Sequence, residues 1–328
     1  MTWRTPEESA LLVVQRRAMN DGFEVSFPRL VFPQGTEAAL DALDEVCRID
    51  RMLSVFRFDS RVQYINLTAY ESPVRLEKEL FDLMTLCVSI AEETGGAVDI
   101  TSGCLWKTWG FAKRQERIPS AEELERAREL TGWQFLELDE EAQTIRFKKQ
   151  GIELNFGCVG KGFALDVAAE KLREHAVDRF LFAGGLSSML ASGQGWKIGI
   201  AHPLRPGQRL QEITLNDVAV STSGSQKQFF RHGGRRYSHL IDPRTGYPAE
   251  GVFTATVFAP TATLAELLST AFFVLGAEKT AEYCSAHPEI SAVLTVPSEH
   301  VPDLTFGHLK RLGELYVVEL GIPAGAQS

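Results

Sequence analysis

The sequence predicts an α+β protein, and three observations carry that reading. Apolar residues recur at helical spacing through much of the first 130 residues. From residue 134 onward the character changes to short segments that read as strands. Those strands and the later helices mix without the strict alternation of a doubly wound sheet.

Taken in order, residues 1–35 read as a short helix followed by a strand, Gly22-Phe-Glu-Val-Ser-Phe27, that ends at Pro28. Leu40, Leu43, Val46, Cys47, Ile49 and Leu53 put one apolar face on a helix over residues 37–55. Leu76, Leu80, Leu83, Met84, Cys87 and Ile90 define a second helix, closed by Gly95-Gly96. A third opens at Pro119-Ser-Ala-Glu-Glu123, with Ser120 and Glu123 spaced as a capping box. Short strands are expected at residues 135–138, 144–147 and 152–155, then a helix at 161–174. Strands follow near 179–183, 196–201, 211–215, 236–241 and 252–258. A helix near 263–275 and a shorter one at 278–285 precede strands at 291–296 and 314–319. Pro203-Leu-Arg-Pro-Gly207 reads as a surface loop.

The bulk numbers narrow the class. A length of 328 residues suits one large domain or two intimately joined ones. Hydrophobic residues at 44% and charged residues at 23% are ordinary for a soluble globular chain with a real core. A formal net charge of −9, with no Lys/Arg run, argues against a general nucleic-acid binder. Cys47, Cys87, Cys104, Cys158 and Cys284 are scattered and odd in number, so neither a disulfide framework nor a zinc site is expected. The apolar run Ala10-Leu-Leu-Val-Val14 is too short for a signal-peptide core, and no segment reaches a membrane span. These features together lead us to expect a cytoplasmic protein.

Four segments carry possible chemistry. In Tyr237-Ser-His-Leu-Ile-Asp-Pro-Arg-Thr-Gly-Tyr-Pro248, a strand runs into a turn specified by Pro243 and Gly246. That holds His239 and Asp242 on a stiff corner, although a histidine beside a turn is more often a surface residue. Ser238 forms no triad with His239, because neighbours on a strand face opposite ways. Gly157-Cys-Val-Gly-Lys-Gly162 lies between a strand and a helix, where amides and Lys161 would suit a phosphate. Its spacing is neither a Walker A loop nor a dinucleotide fingerprint, and a plain tight turn is the competing reading. Glu266 and Thr270 share a helix face, with Ser269 on its edge, and hard oxygen donors of this kind suit Mg²⁺. Taken alone, that pattern is more simply explained by a solvated Glu on an amphipathic helix. Ala97-Val-Asp-Ile-Thr-Ser-Gly103, followed by Trp106 and Trp109, places Asp99 in apolar surroundings, where it would cap an element or meet a ligand. His175, His287, His300 and His308 read as surface residues, and His202 receives no assignment.

Together these segments resemble the FAD:protein FMN transferase (ApbE-type flavin transferase) family. The likeness begins at Met19 and continues through the segment from Asp50 to a Ser-rich loop closing on Asn66. It includes Thr94-Gly-Gly-Ala-Val-Asp-Ile-Thr101, Trp109-Gly-Phe111, Gly184-Gly185, Thr222-Ser-Gly224 and the segments around His239 and Glu266, in the family's order. It covers about residues 15–300, and one domain of this type over residues 1–328 is expected. The resemblance implies a T-shaped α+β fold with mixed or antiparallel sheets and packed helices. It also implies FAD as substrate, Mg²⁺, an acceptor flavoprotein with a Ser/Thr attachment site, and AMP as product. Residue by residue, it implies that Met19, Phe56, Ala97, Val98, Asp99, Asn155, Lys161 and Ile241 bind FAD. It assigns the metal to the carbonyl of Cys158 with Glu266, Ser269 and Thr270, and the base to His239. The chain departs from the family in having Glu266 and Asn155 where Asp is usual, Leu186 after the glycine pair, and Cys158-Val-Gly160. A pyrophosphatase that uses water as acceptor and a non-catalytic FAD binder are the rival readings.

Overall fold

Strand-like alternation begins at the first described residues. The computed structural model describes residues 11–321, apart from 114, 116, 226–228, 300 and 305. Burial alternates along β1 (Leu11–Ala18), which pairs with β2 (Asp21–Pro28) in a hairpin. Met19 and Asn20 close the hairpin at positive φ, 49° and 60°. A strand therefore stands in the described part of the segment expected to open with a helix, because the period there is two and not 3.6.

Three expected helices form: α1 (Gly35–Leu53), α3 (Lys78–Glu93) and α5 (Ala121–Glu129). Ser120 Oγ accepts from Glu123 N and Glu123 Oε2 from Ser120 N, so both halves of the capping box are made. Between α1 and α3, α2 (Arg61–Thr68) occupies the latter part of the stretch read as a Ser-rich loop, started by Ser60 Oγ accepting from Gln63 N. β3 (Val74–Arg75) pairs with β5 (Thr144–Phe147), which pairs with β4 (Leu136–Asp139). The short α4 (Gly103–Thr108) precedes α5.

The strand expected at 152–155 does not form. Its backbone is committed elsewhere: Leu154 N donates to Asn66 Oδ1, Asn66 Nδ2 donates to Leu154 O, and Asn155 N donates to Ile100 O. A single bridge, Ser102 to Glu153, remains.

After α6 (Gly160–Glu174) come β6 (Phe180–Gly184), β7 (Ser188–Ser192), β8 (Trp196–Ala201), β9 (Arg209–Leu215) and β10 (Ala219–Gly224). The chain continues through β11 (Phe229–His232), β12 (Arg235–Ser238), β13 (Thr254–Ala259), α7 (Ala262–Ala286), β14 (Ser291–Pro297), β15 (His308–Leu312) and β16 (Leu315–Leu320). α7 is broken at Gly276 (φ 82°), between the two helices expected there. Among the described residues the main sheet has the antiparallel order β1-β2-β6-β7-β10-β13-β14-β16-β15. β8 and β9 pair with each other, as do β11 and β12.

The fold is therefore α+β, with antiparallel sheets. The largest apolar core lies between one face of the main sheet and α1, α6 and α7. The β8–β9 hairpin covers the opposite face through Trp196, Ile198, Ile200 and Ile213. A third, smaller core gathers Leu105, Trp109, Phe111, Leu124, Ala127 and Phe230.

Candidate active site

The meeting of α6 with α7 builds the charged end of the site. A Cβ at Gly162 would stand 2.2 Å from Ala262 O, so the two backbones approach as closely as glycine permits. Asp166, one turn further along α6, accepts from Ala262 N and Thr263 N, both at 2.8 Å, and so caps the start of α7. This brings Glu266 against the first turn of α6. Glu266 is 5% exposed. Its Oε2 accepts from Gly162 N at 2.6 Å, and Oε1 lies 3.2 Å from Lys161 Nζ and 3.3 Å from Ser188 Oγ.

Beside the carboxylate sits a group of hydroxyls. Ser223 Oγ is 2.8 Å from Ser269 Oγ and 3.2 Å from Thr270 Oγ1, while Ser269 Oγ donates to Glu266 O. Residues 157–162 form a tight turn running into α6, with Gly157 N donating to Asn155 Oδ1. Cys158 lies in this turn. Its thiol is pushed up to about 12 by burial and by the nearby Glu266 charge, which leaves it unsuited to nucleophilic chemistry at neutral pH.

The small core supplies the histidine. β12 stops at Ser238, short of the expected 241, because the chain turns away to bridge Ile241 to Pro248. His239 sits just past the strand, its ring edge-on to Phe111. Trp109 Nε1 donates to Gly246 O at 2.8 Å and pins the turn from inside. Asp242 belongs to that turn, with both carboxylate oxygens accepting from the Arg244 guanidinium.

One cleft of about 900 Å³ brings Asn155, Cys158, Lys161, His239, Ile241, Glu266 and Thr270 together. Phe56 is 69% exposed and meets the cleft through Trp106, its ring edge-on at 6.0 Å. Met19, Ala97, Val98, Asp99 and Ser269 do not line the cleft. Met19 N donates to Asp50 Oδ2, and Ala97 and Val98 are core residues. Asp99 Oδ1 accepts from Thr101 N and Oγ1, and Oδ2 from Trp133 N, so its carboxylate is used as a cap. Burial raises its pKa despite these bonds.

Reading the sequence did not single out Ser188, Asp21 or the β8–β9 residues of the cleft, and it gave Ser102 and Ser223 no role beyond membership of a motif. His202, which received no assignment, also lines the cleft. His175 lies 3.0 Å from Asp41, His287 stacks on Tyr283 and His308 is exposed; His300 lies outside the described residues. No three His, Cys, Asp or Glu side chains cluster as a metal cage among the described residues. No described helix is long and apolar enough to cross a membrane.

Comparison with known proteins places the chain in a family. The sequence profile of the ApbE family matches residues 19–294. The FAD:protein FMN transferase of Treponema pallidum is 32% identical over 285 residues, 79% of this chain and 78% of that one. Its counterpart of the same name in Escherichia coli K12 is 30% identical over 280 residues, covering 82% and 80%. The solved structure of the ApbE protein of Thermotoga maritima has a TM-score of 0.79 at 29% identity, covering 87% of this chain and 94% of that one. The apo form of the flavinyl transferase ApbE of Pseudomonas stutzeri has a TM-score of 0.80 at 26% identity, covering 97% and 96%. With the profile spanning most of its length, the chain belongs to the ApbE family.

Proposed function

We propose that this protein transfers the FMN moiety of FAD onto a Ser or Thr hydroxyl of an acceptor flavoprotein and releases AMP. The observation that carries the reading is the convergence of Lys161, Glu266, Thr270 and His239 in one cleft. The acceptor oxygen forms a bond to the phosphorus that carries the riboflavin half, and the pyrophosphate P–O bond breaks toward AMP. Displacement of this kind depends on charge neutralisation and in-line positioning more than on covalent help from the protein. Lys161 lines the cleft and would bind the pyrophosphate, with the positive end of α6 beside it. His239 takes the proton of the attacking hydroxyl. Trp106, with Phe56 against it, offers an aromatic surface for the flavin or adenine ring.

The oxygen donors present fit a magnesium ion. Glu266 would offer one buried carboxylate, and Thr270 and the Cys158 carbonyl neutral oxygens, a set that suits Mg²⁺ together with substrate phosphates; Ser269, buried and off the cleft, would act through the hydroxyl of Ser223, which also meets Thr270. When bound, Mg²⁺ neutralises charge on the pyrophosphate. Glu266 would hold the ion with the carboxylate that now meets Lys161. A reducing, cytoplasmic setting suits the five unpaired thiols.

The test is AMP release from FAD with and without Mg²⁺ and with and without an FMN-accepting domain, whose intact mass is followed. AMP together with an FMN-sized mass gain is expected. AMP without mass gain would favour hydrolysis, and FAD retention without AMP would favour a binding protein. His239→Ala is expected to keep FAD affinity and lose transfer at least about 100-fold, the usual contribution of a general base. Transfer at the wild-type rate in that variant would remove the histidine from the mechanism.

A further inference from the structure

The cleft extends well beyond its charged end. Its far wall is made by Ile198, Gly199, Ile200, Ala201, His202 and Pro203 in unbroken succession. Side chains of a strand alternate between faces, so a wall built from successive strand residues is a backbone edge and not a face. Ile198 and Ile200 confirm the geometry, because their side chains are buried in the apolar layer with Met189 and Val220. Of the neighbours across the hairpin, Ile213, Glu212 and Gln211 do not line the cleft, whereas Arg209, opposite Ala201 where the register shifts, does so with Gly207 and Gln208 of the connecting turn. Over Ile198–Ile200 the edge facing the cleft is therefore the one turned away from β9, and the cleft meets β9 only at Arg209, at the turn end of the hairpin. β8 pairs with β9 and with no other described strand. An edge of this kind is a template for a further strand.

The same cleft touches both faces of β10. Ser223 reaches toward Ser269 and Thr270 on α7, whereas Thr222 points the opposite way and meets Thr256 Oγ1 at 2.9 Å. Ser223, Gly224, Thr222, Thr254 and Thr256 all line it. The cleft thus passes round the end of β10 at Gly224, joining the Glu266 side to the β8 side. In-line transfer requires the nucleophile to approach the phosphorus opposite the departing nucleotide, so two substrates need two arms. The aromatic arm at Trp106 suits a ring. The β8 arm, with a strand edge above threonine hydroxyls, suits a polypeptide backbone.

We infer that an extended segment of the acceptor protein docks along the free edge of β8 as a third strand of the β8–β9 hairpin. Its hydroxyl then reaches past Gly224 toward His239, which lines the same cleft. Backbone pairing supplies affinity with little demand on sequence, and alternate side chains meet Thr222, Thr254 and Thr256. The inference rests on the transferase reading.

Hydrogen exchange tests it on the intact protein with FAD and an FMN-accepting domain whose attachment hydroxyl has been removed, so that the complex persists. The amides of residues 198–201 are expected to exchange more slowly with this domain than with FAD alone. In parallel, Ala201→Trp, at an exposed position on the edge, is expected to raise KM for the unmodified domain about tenfold while the FAD dissociation constant, read by flavin fluorescence, stays unchanged. A mass gain on the domain without protection at 198–201 overturns the inference and leaves the transferase reading standing. Full protection by FAD alone assigns the arm to the nucleotide and also overturns it. Absence of any mass gain overturns the transferase reading, and the docking site with it.

Discussion

Glu266 takes three donors at once, from Lys161, Gly162 and Ser188, in a setting that leaves it 5% exposed. A buried carboxylate without an opposite charge is costly, so the Lys161 ammonium is its main compensation. Lys161→Met should destabilise the protein by about 1–3 kcal/mol, below the full cost of breaking a buried pair because the lysine side chain is 25% exposed. Urea unfolding measures it, and a change under about 0.5 kcal/mol would show the pair to be energetically idle. Glu266→Gln keeps an oxygen for Gly162 N and removes the charge. It should stay within about 1 kcal/mol of wild type while losing Mg²⁺ binding by calorimetry and Mg²⁺ stimulation of AMP release. An unchanged Mg²⁺ isotherm would remove Glu266 from the metal site. Part of this was legible in the sequence: the four-residue spacing of Glu266 and Thr270 puts both on one helix face. The partners were not, because Gly162 and Ser188 lie 104 and 78 residues away and no local pattern encodes such contacts.

At the scale of elements, the site depends on how α7 begins. Asp166 holds Ala262 and Thr263, and Gly162 lets α6 lie against them. Asp166→Ala removes the cap from outside α7 and should cost about 1–2 kcal/mol, with weaker Mg²⁺ binding because the turn bearing Glu266 loosens. Gly162→Ala places a methyl group against the Ala262 carbonyl, backbone against backbone, and should cost about 1–3 kcal/mol. Thermal unfolding of both variants checks these values, and a Gly162→Ala protein as stable as wild type would mean that the two helices separate freely. Helices with a clear apolar face and caps were readable from sequence, as the capping box at Ser120 shows. Segments whose backbone is satisfied by a distant side chain were not, which is why residues 152–155 resemble a strand and yet bond to Asn66. β7 and β10 escaped for another reason. Ser-Met-Leu-Ala-Ser and Ala-Val-Ser-Thr-Ser-Gly carry no two-residue alternation, since much of both strands is buried from both sides.

Across the whole molecule, the reacting groups come from two different cores. Lys161 and Glu266 stand on helices of the main core, whereas His239 follows a strand whose Tyr237 packs on the small core around Trp109 and Phe230. The order of motifs along the chain made the family legible, but nothing in that order showed that the histidine rides on a separate apolar cluster. The consequence is that the distance from His239 to the phosphate site is set by how the small core is held. Trp109 is fully buried there, and its indole N–H fastens Gly246 in the turn that follows the histidine. Trp109→Phe keeps an aromatic ring but gives up that hydrogen bond and some packing, a loss of about 1–3 kcal/mol concentrated in the small core. Because Lys161 and Glu266 lie on the other core and Trp106 only borders this one, FAD affinity should change less than about threefold. The rate of FMN transfer should fall about tenfold or more, since small misplacement of a base is costly. Single-turnover kinetics at saturating FAD separates the two quantities. An equal loss in affinity and rate would show that the small core binds the flavin as well as positioning the base.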